Sequence, residues 1–157
     1  MKGIGRLERC RAQGVRYKEF FQSVMGTREY IMLKLLLVSP DKDPLSGIAA
    51  ALKEHDDVEL LTTESGEKAL AIVSKNAVDL VVTDEDVGDM SGLEFARRLI
   101  SINPMINCAC VSHLDPERFH EVSEGLGLMD QLPIRPGKED AEKILRDLRI
   151  IKGEVSP

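Results

Sequence analysis

The chain has 157 residues, 43% apolar and 31% charged, which suits one domain with a single substantial core and excludes disordered and fibrous classes. No apolar run approaches the roughly 20 residues that span a bilayer, and no apolar stretch near the start precedes a small-residue cleavage site, which argues against a membrane span or a secretory leader. The net charge of −6 conceals a split, +4 over residues 1–32 and −10 over the remaining 125, so the main domain would repel nucleic acid.

Residues 1–32 form a basic N-terminal extension that holds both tyrosines and two of the four phenylalanines. Tyr17, Phe20, Phe21 and Val24 fall at i, i+3, i+4 and i+7, so a short amphipathic helix is expected over 16–25, ended by Gly26-Thr27. One reading makes it a dimerisation or docking helix; others make it a packing appendage, or an upstream extension before a true start at Met32.

From Leu33 strands and helices alternate. Leu33–Val38 is an apolar run broken only by Lys34, as in a strand buried on both faces, and Ser39-Pro40-Asp41 stops it. Leu45, Ile48, Ala49 and Leu52 mark a helical stripe ending near His55-Asp56. A second strand is expected over Val58–Thr63. Ser65-Gly66 then opens a helix with Ala69, Leu70, Ile72 and Val73 inward, and a third buried strand, Val78–Thr83, leads to Asp84.

Ser91-Gly92 precedes a helix carrying Leu93, Phe95, Ala96, Leu99 and Ile100. A fourth strand, Ile106–Val111, stops at Ser112-His113, and Asp115-Pro116 supplies an N-cap and an N1 proline for the next helix. A short fifth strand, Met129–Ile134, contains Pro133, which lacks an N–H and therefore belongs at a sheet edge. A last helix covers 139–152, with Ala141, Ile144, Leu145, Leu148 and Ile151 on one face. Five strand–helix units imply a doubly wound α/β fold with a parallel sheet between two helical layers. The domain is expected over 33–153, with a tail over 154–157.

In such a sheet the functional crevice lies beyond the carboxyl ends of the strands. That edge collects Ser39, Pro40 and Asp41, then Asp84, Glu85 and Asp86, then Ser112 and His113, then Arg135-Pro136. A carboxylate, a hydroxyl and a cation brought together there suit phosphoryl chemistry, with the carboxylate as nucleophile and a divalent metal screening charge.

Over about Leu33 to Lys152 the chain resembles the receiver domain of bacterial two-component signalling. The stretch from Asp79 to Glu94 is similar to the family's phosphoacceptor segment, in which a strand ends in the acceptor aspartate and a Met-Pro-x-Met-Asp-Gly-like loop follows. Asp84 falls on the acceptor, and Met90 and Gly92 match the loop; Ser91 replaces its usual Asp and Gly88 its usual Pro. The resemblance implies a flavodoxin-like fold with strand order 2-1-3-4-5. It also implies phosphoryl contacts from Ser112 and Arg135, a cis peptide before Pro136, and no enzymatic activity of the chain's own. The phosphoryl donor would be a histidine kinase or phosphotransfer protein, and output would pass through contacts with a protein partner or a second copy.

The departures from the family pattern cluster at the metal. Receivers carry two adjacent acidic residues after the first strand that hold Mg²⁺, and here Ser39-Pro40 stands in their place. Mg²⁺ wants octahedral oxygen ligands with carboxylate charge, so its binding is expected to be weakened, resting on Asp84, Asp41 and the Asp86 backbone carbonyl. Arg135 replaces the family lysine with a planar fork, and a permanent Arg135–Asp84 pair is one expectation. His113 stands where a small residue is usual and would crowd Asp84, and Leu132 replaces an aromatic residue. A phosphorylation-independent interaction module is therefore the alternative function. A flavodoxin-like cofactor binder is a remote third, because the loop after the first strand is acidic. Three cysteines, Cys10, Cys108 and Cys110, make no disulfide framework or zinc set, so a reducing cytoplasmic setting is expected.

Overall fold

A computed structural model describes residues 32–153, and the expected helix over 16–25 and the tail over 154–157 lie outside those residues. Among the described residues five strands alternate with five helices: β1 Leu33–Val38, α1 Ser46–Lys53, β2 Val58–Thr63, α2 Gly66–Lys75, β3 Leu80–Thr83, α3 Gly92–Ile102, β4 Asn107–Val111, α4 Pro116–Ser123, β5 Asp130–Leu132 and α5 Lys138–Ile151. The strands form one sheet in the order β2-β1-β3-β4-β5, every pairing parallel, so the flavodoxin-like architecture expected from the sequence is what the chain adopts.

Burial follows position in that order. β3, inside the sheet, is buried at all four residues, and β1 at all but Lys34; β2, at the edge, is half-buried except at Glu59 and Thr62, which are exposed. Side chains on one face of β1 (Leu33, Leu35, Leu37) pack with Leu80, Val82 and Leu132 under α1 and α5. Those on the other face, Leu36 and Val38, pack with Val81 and Cys108 under α2 and α3, around Phe95 and Leu99. Each large apolar side chain buried this way contributes about 1.5–3 kcal/mol. α4 is the exception, with Phe119 as its one buried residue, outside both clusters.

Three strands are shorter than the apolar runs suggest, β4 by the single residue Ile106. Before β3, Asp79 takes over the first rung: its carboxylate accepts from the Lys34 backbone N–H at 2.8 Å, and its own N–H donates to the Lys34 carbonyl at 2.8 Å. β5 stops at Leu132 because Pro133 has no N–H to continue the ladder, and Ile134 beyond it is half exposed.

Three backbone bonds extend the ladders past the strand ends. Ser39 N–H donates to Thr63 O at 3.1 Å, Asp84 N–H to Val38 O at 2.9 Å, and Ser112 N–H to Leu132 O at 3.0 Å. They bring Ser39, Asp84 and Ser112 to one edge of the sheet, where strand order reverses between β1 and β3.

Candidate functional site

Asp84 is half buried, and both of its carboxylate oxygens are engaged. Oδ1 accepts from the Glu85 backbone N–H at 2.8 Å. Oδ2 lies 2.8 Å from the Ser39 hydroxyl, which is also 2.6 Å from the Asp41 carbonyl, so one hydroxyl proton serves two acceptors. The Asp41 N–H donates back to Ser39 Oγ at 3.3 Å, which fixes the loop after β1 around the serine.

The loop after β3 is held just as closely. Gly92 N–H donates to Glu85 O at 2.8 Å, and a Cβ on Gly92 would lie 2.4 Å from the Asp84 carbonyl oxygen, so only glycine allows α3 to start this close to the aspartate. Gly88 has φ +93°, a left-handed conformation that proline's fixed negative φ forbids, which accounts for glycine where the resemblance led one to expect proline. The Asp86 carboxylate accepts from Gly88 N–H at 2.7 Å, turning back on its own loop.

Asp89, unassigned from the sequence, joins this loop to α2. Its two oxygens accept from the backbone N–H groups of Glu67 at 3.0 Å and Gly66 at 2.8 Å, the first turn of α2. The Glu67 N–H, then the Gly66 N–H, hold its carboxyl below the ordinary aspartate value. No sequence signal marks the contact, because donor and acceptor lie 22 and 23 residues apart.

The remaining edge residues are placed as follows. Ser112 is buried, and its hydroxyl accepts from the Leu114 N–H at 3.2 Å. His113 engages Glu85 twice, through its backbone N–H at 3.2 Å and through Nδ1, so its exposed ring is tied to the neighbour of Asp84. Leu132 is fully buried under α1 and α5. The Cys110 thiol is pushed up to about 12 by burial, then by the charges of Glu85 and Asp84; burial raises Cys108 as well, so both are inert core groups.

Two expectations fail. Arg135 does not pair with Asp84: its guanidinium donates to Asp43 Oδ2 at 2.8 Å, on the outer rim of the loop after β1. The peptide before Pro136 is trans, and Arg135 itself has φ +55°, a left-handed conformation that orients this residue differently from an extended one. The partner Asp43 comes from the same acidic stretch as Asp41, two residues on.

The groups expected around Mg²⁺ are placed as follows. Among the described residues no three His, Cys, Asp or Glu side chains come together closely enough to hold a metal ion. Ser39 directs its hydroxyl proton toward Asp84 rather than offering an anionic ligand, and Pro40 offers no side-chain donor; the Asp86 carboxylate accepts from Gly88, while the expected contribution of Asp86 is its backbone carbonyl.

The response regulator receiver domain model matches residues 35–141. No curated protein matches the chain. Among solved structures, the chemotaxis response regulator CheY4 of Vibrio cholerae is 20% identical with a TM-score of 0.66, covering 74% of this chain and 98% of its own. The signal receiver domain of an HD domain-containing protein from Pseudomonas fluorescens is 18% identical with a TM-score of 0.68, covering 78% and 91%. The response regulator domain of Thermotoga maritima CheB is 16% identical with a TM-score of 0.65, covering 80% and 99%. At these identities the likeness to the solved structures is one of fold.

Proposed function

The chain belongs to the response regulator receiver family, and from that premise we propose that it is a protein-interaction module that works without phosphorylation of Asp84. One observation carries this reading: the Ser39 hydroxyl, a neutral donor, occupies Asp84 Oδ2 at the position where family members place an acidic metal ligand. A phosphoryl group would add nearly two negative charges at a site flanked in sequence by Glu85 and Asp86. The expected cation, Arg135, is engaged by Asp43. Output would pass through protein contacts, for which the lightly anchored α4 and the exposed Ile134 and Ile151 offer surface.

The position of Asp84 supports a second reading. It stands at the switch point of the sheet, half exposed, with Ser112 at the same edge, as an acceptor of phosphoryl from a histidine kinase or phosphotransfer protein would. Ser112 and Arg135 would then contact the phosphoryl group, and what Mg²⁺ affinity remains would rest on Asp84, Asp41 and the Asp86 carbonyl.

Backbone amide NMR with Mg²⁺ and beryllium fluoride, a phosphoryl mimic, separates the two. The expected result is no saturable set of shifts around Asp84 in the wild type, and a gain of Mg²⁺ shifts in Ser39→Asp/Pro40→Asp, which restores two carboxylates. Saturable wild-type shifts that vanish in Asp84→Asn would establish the second reading instead.

A further inference from the structure

A groove of about 640 Å³ opens on the other side of the Ser39-Pro40 segment from the centre of the sheet, between α1, the end of β2 and the start of α2. Its volume is that of a site for a small organic ligand. Leu37, Leu45, Ala49 and Ala50 give it apolar surface, and Thr62 and Thr63 add hydroxyls from the edge strand. The α1 side is a stripe of Ser46, Ala49, Ala50 and Lys53, spaced i, i+3, i+4 and i+7, whose short side chains leave the space open.

The charge around the groove is opposite to that of the domain. Lys42, Lys53 and Lys68 line it against Asp41 and Glu64, a surplus of one positive charge in a region of net −10. Five of the eight lysines among the described residues are ion-paired. Of the other three, Lys42 and Lys53 line this groove and Lys75 does not; Lys68, which also lines it, is paired with Glu64 across one helical turn. Ser39 and Pro40, which form part of the wall, bring no charge, so from the loop after β1 the groove takes one carboxylate, Asp41, and one ammonium, Lys42.

We infer that this groove binds a small organic monoanion, an apolar body of aromatic-acid size bearing one carboxylate, with the body on Leu37, Ala49 and Ala50 and the charge between Lys42 and Lys53. Because Ser39 lies in both the groove wall and the Asp84 site, such a ligand would touch the residue that holds Asp84. The inference does not depend on whether Asp84 is phosphorylated.

Fluorescence titration of the full chain tests it, using anilinonaphthalene sulfonate, an aromatic anion, beside its uncharged analogue N-phenylnaphthylamine. Saturable one-to-one binding of the anion is expected, with the uncharged probe and the Lys42→Glu/Lys53→Glu variant each roughly tenfold weaker. Ala50→Trp, which fills the groove from an exposed position, should abolish binding, with circular dichroism checking its fold. The charge-reversal variant changes only exposed side chains and decides the matter if Ala50→Trp fails to fold. Absence of saturable binding, equal binding of the two probes, or unchanged binding in the reversal variant would overturn the inference. Asp84→Asn should bind as wild type does; loss of binding there would move the probe to the aspartate and equally overturn it.

Discussion

At the scale of single residues, the state of Asp84 is set by what sits at Ser39 and Gly92. A serine at position 39 supplies one proton shared between Asp84 and the Asp41 carbonyl, where a carboxylate would have supplied charge for a metal. The sequence made that replacement legible, but not its consequence, because a hydroxyl's choice of acceptor depends on a loop conformation that spacing does not encode. Arg135 shows the same limit: its charge was readable, its direction was not, since that depends on a left-handed backbone at a non-glycine residue. Gly92 makes the tightest steric statement in the site. Gly92→Ala would place a methyl 2.4 Å from the Asp84 carbonyl oxygen, a backbone atom with little room to yield. Its expected cost is about 1–3 kcal/mol by urea denaturation, of the kind seen when a filled site is overpacked. A neutral effect would mean that the loop after β3 is looser than the contacts imply.

At the scale of elements, the helix termini and loops are where sequence and structure part company. Strand–helix alternation located all ten elements, because buried parallel strands read as apolar runs and the helices as stripes of period 3.6. The N-cap at Asp115 was legible as a local signal, and Ser65 and Ser91 stand where helices were expected to begin; each of the three side chains accepts from a backbone N–H three residues on. The second cap on α2, from Asp89, was not legible, because it arrives from another loop. That contact has a pH signature. Folding depresses the Asp89 pKa below its ordinary value of 3.8, so its contribution to stability is fully present above that value and lost as pH falls through the lower folded value. Thermal unfolding of wild type and Asp89→Asn should therefore differ at pH 5–7 and converge as pH falls toward about 2. A difference that stays constant over that range would show that the charge of Asp89 does not stabilise the loop.

At the scale of the whole domain, a five-stranded sheet with separate cores on its two faces presents one edge for chemistry and leaves α4 lightly attached. The fold was legible because it rests on many redundant apolar positions, whereas the site rests on a few polar groups whose directions are set by loops. Ser39, Asp84 and Ser112 reach one edge as expected; Arg135 turns to Asp43 instead, and among the described residues no three His, Cys, Asp or Glu side chains form a metal-holding group. The family supplies the scaffold, and under the proposed function its local chemistry would serve contacts other than phosphoryl transfer. Incubation of the full chain with acetyl phosphate and Mg²⁺, followed by intact mass measurement, tests that claim most directly. The expected result is an unchanged mass for the wild type. A species heavier by about 80 Da, one phosphoryl group, that disappears in Asp84→Ala would contradict it.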